Sequence, residues 1–232
     1  DSMMYDGLTC AFDKCAMGLG TERYTEGKIA REAQDEVAAK SHERAARAIK
    51  EGLFADEIVA VGVPQRKGDP VMVDTDEGVR PGTTVESLGA LRPAFDKAGT
   101  ITAGNASQIS DGAGAVVVMS RAAAERLGAT PIAEIVSYGQ VAGPDPSLLT
   151  QPARAIRQAA EKKSIDISSI DLFELNEAFA AVGLASMADL GISDDIVNVN
   201  GGAIALGHPV GMSGSRVALT LIHELRRRGG GL

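Results

Sequence analysis

The stretch of the chain that most constrains its fold runs from Asn198 to Arg216. It contains five glycines, one proline and one histidine, so its backbone must adopt shapes that most side chains would forbid. Glycine-rich loops are usually polar, but this one also carries four large apolar residues, Ile204, Leu206, Val210 and Met212. We therefore expect a loop folded into the interior, with His208 at its bend and its backbone polar groups satisfied inside the protein.

Composition narrows the class of protein. The 232 residues are 44% hydrophobic and 23% charged, which is typical of a soluble globular protein of one large or two small domains. The formal net charge of −8 argues against nucleic acid as a main partner. No apolar run approaches the roughly 20 residues of a membrane span, and the N-terminus lacks the pattern of a signal peptide. We expect no membrane partner and a cytoplasmic location.

The two cysteines, Cys10 and Cys15, are too few for a disulfide framework, and no second cysteine or histidine cluster lies near enough for a zinc site. We expect buried or free thiols in a reduced compartment, and no bound metal.

In the first half of the chain, residues 30–50 have a helical pattern with a stripe of small residues that includes Ser41, Ala45 and Ala48, and Gly52 follows as a stop signal. His42 has charged neighbours, so we expect a solvated histidine without a role. Residues 57–63 and 70–74 read as two strands of a hairpin. Residues 74–98 are irregular, and basic side chains there are by default solvated.

The second half alternates between apolar runs and helical patterns. We expect a buried strand at 115–119, followed by a helix at 121–127 that ends at Gly128. Further strands are predicted at 132–141, 169–175 and 196–199, and further helices at 151–163, 177–190 and 213–228. This βαβα order predicts an α/β layered domain from about residue 131 onward, with a different subdomain before it.

Two polar residues follow predicted strands, where α/β folds place their chemistry. Asn176 follows the strand at 169–175 and opens a helix, so it is either a functional side chain or an ordinary N-cap. His208 follows the strand that ends near Val199, and its neighbours Gly207 and Pro209 restrict its backbone. We regard both as candidate site residues.

At these two positions the sequence resembles a known family. The motif Asn176-Glu177-Ala178-Phe179-Ala180 and the stretch from Asn198 to Arg216 resemble signatures of the thiolases, which comprise acetyl-CoA acetyltransferases and 3-ketoacyl-CoA thiolases. The segments 91–95 and 102–107 are similar to thiolase segments too. The resemblance covers nearly the whole chain, and it implies part of a thiolase-like layered α/β fold. Residues 1–109 would form the loop domain, 110–130 the last strand and helix of the N-terminal half, and 131–232 an incomplete C-terminal half.

The resemblance also implies a chemistry, acyl transfer between acyl-CoA and CoA or acetyl-CoA through an acyl-cysteine. The CoA thioester is the substrate, and no cofactor is needed. His208 matches the histidine that activates the nucleophilic cysteine and helps to bind the thioester oxygen, a task suited to imidazole. Asn176 matches the asparagine that holds a water in the oxyanion hole.

Further positions match the family's substrate-binding residues. Those that match the pantetheine and acyl channel are Met17, Phe95, Ala103, Ser107, Ala178 and Phe179. Arg80 and Ser87 match positions near the nucleotide end of CoA, which raises Arg80 above an ordinary surface charge.

The chain also departs from the family pattern. We expect the nucleophilic cysteine in an N-terminal segment before Asp1 and a second catalytic cysteine a few residues beyond Leu232; Cys10 and Cys15 match neither. Ala16 stands where many short-chain members carry a histidine against pantetheine. We expect this stretch to need its missing N-terminal half and to be inactive alone. The family implies a homodimer or homotetramer.

Two alternatives stay open. One is a longer-chain 3-ketoacyl-CoA thiolase of fatty-acid β-oxidation, since chain-length preference depends on packing around Met17, Phe95 and Phe179. The other is a non-catalytic module that binds CoA and keeps only the thiolase framework.

Overall fold

A computed structural model describes residues 1–232, which form eight α-helices and one two-stranded sheet. The helices are α1 (Met17–Thr25), α2 (Arg31–Lys50), α3 (Val85–Gly89), α4 (Arg121–Leu127), α5 (Gln151–Glu161), α6 (Ala180–Leu190), α7 (Ala203–Leu206) and α8 (Ser213–Arg227). The strands are β1 (Val61–Val63) and β2 (Val71–Val73). No helix is both long enough and apolar enough to cross a membrane.

The long helix α2 is the element against which both halves of the chain pack, since it contacts α3, α6 and α7. Its buried face includes Ala38, Ser41, Ala45 and Ala48, at helical spacing. Small side chains there allow close approach: a Cβ on Gly201 would lie 2.6 Å from the Cβ of Ala45. The predicted helix and its small-residue stripe are thus confirmed in their main features.

The predicted hairpin is confirmed, with shorter strands than expected. β1 and β2 pair antiparallel, with Val61 opposite Val73 and Val63 opposite Val71. All six strand residues are exposed.

Four other strand predictions are wrong as regular strands. Residues 115–119 and 132–141 have no strand structure, and their apolar side chains are mostly exposed. Segments 169–175 and 196–199 contribute a single parallel bridge between Phe173 and Val197, both buried. A strand exists only through hydrogen bonds to a neighbouring strand, and the described chain offers these segments no further partner.

Helices α4, α5, α6 and α8 lie close to their predicted positions, whereas the sequence does not predict α1, α3 and α7. α4 ends at Gly128, whose φ of 63° is left-handed as a C-terminal glycine allows. α6 begins at Ala180, three residues later than predicted, because the segment around Asn176 is not helical. A cluster of buried side chains joins α5 and α6 to the Phe173–Val197 bridge, and it comprises Ala153, Phe173, Leu175, Leu190 and Val197.

The cysteines are free thiols, with Cys10 buried and Cys15 half-buried. Both lie in the short antiparallel turn that precedes α1, where Thr9 bridges Ala16 and the Cys10 N–H donates to the Cys15 carbonyl.

Candidate active site

The glycine-rich loop is buried as the sequence predicts, at least as far as His208. Residues 200–205 and Gly207 are buried, and α7 lies within the loop. The Gln108 side chain donates to the carbonyls of Ile204 and Ala205 at 3.0 and 3.2 Å, and its backbone carbonyl accepts from the His208 N–H at 3.1 Å. Inside the protein, one glutamine therefore satisfies much of the backbone beside the histidine.

His208 and Asn176 meet at the end of this loop. The Asn176 Nδ2 lies 3.2 Å from the His208 Nε2, and the His208 Nδ1 lies 2.6 Å from the Ser213 Oγ. The Ser213 hydroxyl donates to the Pro209 carbonyl at 3.1 Å. Since an amide nitrogen can only donate, the Nε2 accepts and the proton of the neutral ring sits on Nδ1.

The surroundings of His208 favour its neutral form. Burial lowers the pKa of the imidazole, and the positive charge of Arg216 lowers it further. Arg216 itself pairs with Glu174 at 3.0 Å. Burial raises the pKa of Glu174 to about 8 although Arg216 opposes that shift. At neutral pH the ring therefore presents an unprotonated Nε2.

Asn176 is not a helix cap, so that interpretation of the sequence is wrong. The N-cap of α6 is Phe179, and no side-chain cap bond forms there. The Asn176 Nδ2 points instead to the imidazole, while its Oδ1 is buried and accepts no hydrogen bond from the protein.

A cleft of about 1060 Å³ adjoins His208. Seven of the predicted site residues line it: Met17, Phe95, Ala103, Ser107, Ala178, Phe179 and His208. The rings of Phe95 and Phe179 meet edge to face, with centroids 6.1 Å apart. Gly18 makes room for this pair, because a Cβ at that position would overlap the Phe95 ring. The lining is mainly apolar, as in most small-molecule sites.

Arg80 and Ser87 do not line this cleft, and their assignment to the nucleotide end of CoA stays a prediction. Both residues are exposed. Ser87 forms a capping box with Thr84 at the start of α3, where each side chain accepts from the other residue's backbone N–H.

His42 is the clearest error of the sequence interpretation. It is only 5% exposed rather than solvated, and its Nδ1 accepts a hydrogen bond from the Arg80 N–H at 3.2 Å. Burial, followed by the charge of Arg80, lowers its pKa. Neighbouring residues on a helix point in different directions, so the charges of Glu43 and Arg44 do not indicate whether His42 is exposed.

Sequence reasoning missed three residues that hold the site together: Ser213, Gln108 and Glu177. Ser213 is the first residue of α8, and its position five residues after His208 was the only signal available. Gln108 and Glu177 act on distant segments, so local patterns do not identify them. No group of three or more His, Cys, Asp or Glu side chains is arranged to hold a metal ion.

Comparison with known proteins identifies the family to which this chain is similar. Residues 1–122 match the family model "Thiolase, N-terminal domain", and residues 129–232 match "Thiolase, C-terminal domain". The chain is 56% identical to a probable acetyl-CoA acetyltransferase of Mycolicibacterium smegmatis, over 100% of this chain and 60% of the relative. It is 51% identical to an acetyl-CoA acetyltransferase of Thiocystis violacea, over 98% of this chain and 58% of the relative.

Solved structures agree with these matches. The acetyl-CoA acetyltransferase of Bacillus anthracis superposes with a TM-score of 0.92 at 43% identity, over 98% of this chain and 58% of that one. Human mitochondrial 3-ketoacyl-CoA thiolase in complex with CoA gives 0.90 at 42% identity, over 98% and 56%. The chain thus spans less than two thirds of the length of these relatives, and it shares their α/β fold. On both sequence and structure, this chain belongs to the thiolase family.

Proposed function

We propose that the protein to which this chain belongs transfers acyl groups between acyl-CoA and CoA or acetyl-CoA, forming or cleaving acetoacetyl-CoA. One observation carries the proposal: an unprotonated imidazole nitrogen lies 3.2 Å from an amide N–H donor beside an apolar cleft. The similarity to acetyl-CoA acetyltransferases supports the same activity.

The geometry suits the half of such a reaction in which the acyl group moves from CoA to the cysteine. A cysteine from a segment outside this chain gives its thiol proton to the His208 Nε2, and the thiolate attacks the thioester carbon. The carbonyl electron pair moves to oxygen. When this intermediate collapses, the bond to the CoA sulfur breaks and His208 returns the proton to that sulfur, which leaves an acyl-cysteine and free CoA.

His208 and Asn176 also form the start of an oxyanion site. Once protonated, the His208 Nε2 becomes a donor, while Nδ1 stays paired with the Ser213 hydroxyl. Asn176, which does not itself line the cleft, can then no longer donate to Nε2, so its amide N–H is released to donate to the thioester oxygen, directly or through a water, beside the imidazolium N–H. Preorganised donors of this kind stabilise the developing negative charge.

The cleft supports a CoA thioester as the substrate, and we propose that no cofactor is needed. Its apolar lining fits a pantetheine arm and a short acyl group, and a related structure is described as a complex with CoA. The Phe95–Phe179 pair lines the cleft with two packed rings, and we propose that it favours short acyl groups over the longer ones of fatty-acid β-oxidation. We further propose a cytoplasmic homodimer or homotetramer, on the family resemblance and the composition.

The test is His208→Ala in the full-length protein, measured as acetoacetyl-CoA cleavage. We expect kcat to fall by about 10²–10⁴-fold, the usual contribution of a general base, while CoA binding by calorimetry is retained. His223→Ala, on α8 and outside the cleft, is the matched control. Unchanged turnover in His208→Ala would refute the assignment, whereas a full-length parent protein that binds CoA but shows no cleavage would favour a module that only binds CoA.

We also expect the 232-residue chain to be inactive by itself, since no cysteine lines the cleft. Thiolytic cleavage by the purified chain, abolished by His208→Ala, would contradict this.

A further inference from the structure

A buried carboxylate lies directly beside Asn176 without a cationic partner. Glu177 is 4% exposed, and none of the salt bridges in the protein includes it. Buried acids are rare unless their charge is compensated. The burial of Glu177 therefore requires stabilising contacts other than a salt bridge.

Three hydrogen bonds stabilise the carboxylate, and each comes from a different part of the fold. The Asn198 Nδ2 donates to Oε1 at 2.8 Å. The Ser41 hydroxyl donates to Oε2 at 2.7 Å, and the Ile204 N–H donates to the same oxygen at 3.1 Å. A carboxylate is the side chain that offers two acceptor oxygens and no donor, so it alone satisfies all three.

These bonds fix the two segments that carry the site residues. Asn198 also holds the chain just before Asn176, because its Oδ1 accepts from the Leu175 N–H and its Nδ2 donates to the Leu175 carbonyl, both at 2.8 Å. Ile204 lies in α7, four residues before His208. Glu177 thus connects the backbone beside Asn176 to the backbone leading to His208.

The third donor brings in the first half of the chain. Ser41 lies on α2, and its Oγ also accepts from the Gly202 N–H at 3.1 Å. Gly202 is needed for this arrangement, since a Cβ there would overlap the Glu177 carboxyl group. The loop, the Asn176 segment and α2 therefore converge on one side chain.

We propose that Glu177 is a positioning residue that sets the separation between the Asn176 amide and the His208 imidazole. Its side chain does not line the cleft. The kinetic part of this proposal rests on the proposed function, whereas the geometric part does not.

Glu177→Gln tests the proposal with little change of volume. The glutamine amide replaces one acceptor oxygen with an NH₂ donor, which must face either the Asn198 NH₂ or the Ile204 N–H. Ser41 can rotate its hydroxyl to accept, but the Ile204 N–H cannot. One segment must move, and a displacement near 1 Å can reduce turnover by about 100-fold.

In the full-length protein we expect Glu177→Gln to lower kcat by about 10- to 100-fold and to leave the KM for the CoA thioester within about threefold, because the three hydrogen-bond partners of the carboxylate do not line the cleft. Glu22→Gln is the matched control. Glu22 is also buried, at 7% exposure, and also accepts backbone N–H bonds, from Thr100 and Ile101. Any loss of melting temperature should be shared by both variants, whereas the fall in kcat should not.

A second measurement does not depend on activity. Nitrogen-15 NMR of histidine-labelled full-length protein distinguishes the Nδ1–H from the Nε2–H tautomer, and the His208 signals are assigned by their absence in His208→Ala. We expect these signals to shift in Glu177→Gln and to stay in place in Glu22→Gln. Unchanged His208 signals in Glu177→Gln, or equal shifts in both variants, would overturn the positioning role.

The two proposals can fail separately. If His208→Ala retains full turnover, the proposed function fails, and the NMR comparison alone then decides the role of Glu177. If Glu177→Gln does not fold, Ser41→Ala takes its place, since it removes one donor and keeps the carboxylate. It should then shift the same His208 signals by a smaller amount, and no shift would count against the proposal.

Discussion

The first part of the glycine-rich loop, residues 198–208, and the apolar segment at 115–119 have the opposite burial to the one that their compositions suggest. The loop is irregular and rich in glycine, yet most of it is buried. The segment Ala115-Val116-Val117-Val118-Met119 has the composition of a core strand, yet Val117 is 86% exposed and Val118 68% exposed. Composition alone would predict that the loop is exposed and the apolar segment buried, which is the reverse of what the structure shows.

The difference lies in the partners that the chain provides for backbone polar groups. The loop finds Gln108, Glu177 and Ser41, whose side chains satisfy its carbonyls and N–H groups. The apolar segment has suitable side chains but no neighbouring strand. A backbone can thus be buried only where its polar groups find hydrogen-bond partners, even when its side chains are apolar.

The largest effect should follow from weakening the buried region. Ile204 is 1% exposed and packs against Ala38, Leu88 and Ala180. We expect Ile204→Ala to lower the free energy of unfolding by about 2–5 kcal/mol, because it removes buried methyl groups and leaves a cavity. Val210→Ala, at the 49% exposed end of the same loop, should change it by less than about 0.5 kcal/mol. Equal effects in urea unfolding would show that the loop is not packed as described.

A smaller effect should follow from acid, through the contact between the loop and α8. Glu224 accepts from the Asn200 Nδ2 at 2.8 Å. Burial raises the pKa of Glu224, but hydrogen bonds from Arg228, Asn200 and Arg227 outweigh it and lower the pKa from 4.5 to about 2. A lowered folded-state pKa means that the stabilisation is complete above 4.5 and is lost as the pH falls toward 2.

We therefore expect the unfolding free energy of the parent chain to fall between pH 4.5 and 2 by roughly 1–2 kcal/mol more than that of Glu224→Gln, after allowance for solvent screening. Parallel pH profiles from urea midpoints would contradict this origin of the pH dependence.

The smallest effect on the 232-residue chain should come from the exposed segment. Val117→Ala in the 232-residue chain should change the unfolding free energy by no more than about 0.5 kcal/mol. In the full-length protein, where we propose that further chain covers this segment, the same change should cost about 1–3 kcal/mol as for a buried valine. Equal values in the two proteins would mean that the segment stays exposed in both.

Helices were the most predictable part of this fold. α2, α4 and α8 follow from periodicity and from stop signals such as Gly128, which act within a few residues. The strands at 115–119 and 132–141 could not be assigned from the sequence, because an apolar run does not reveal whether a neighbouring strand exists. His42 was misjudged for a similar reason, since its burial depends on the Arg80 segment 38 residues away.

The candidate site was only partly predictable. Asn176 and His208 could be selected by their positions after predicted strands, and the structure brings them together. Gln108 and Glu177 could not, because each acts through a contact with a distant segment, and the only signal for Ser213 was its position five residues after His208. The gap between Glu177 and Ser41, 136 residues, shows how far such contacts reach along the chain.

The hydrogen bonds between α2 and the glycine-rich loop matter when segments are exchanged between related proteins. Besides Ser41, this helix holds the loop through Arg44, which donates to the Val197 carbonyl at 2.8 Å, and Arg47, which donates to the Val199 carbonyl at 2.6 Å. A hybrid enzyme that takes its first half from another thiolase must therefore bring a serine and two arginines at matching helical positions. Without them, the hybrid would lose the hydrogen bonds by which α2 helps to determine the shape of the loop.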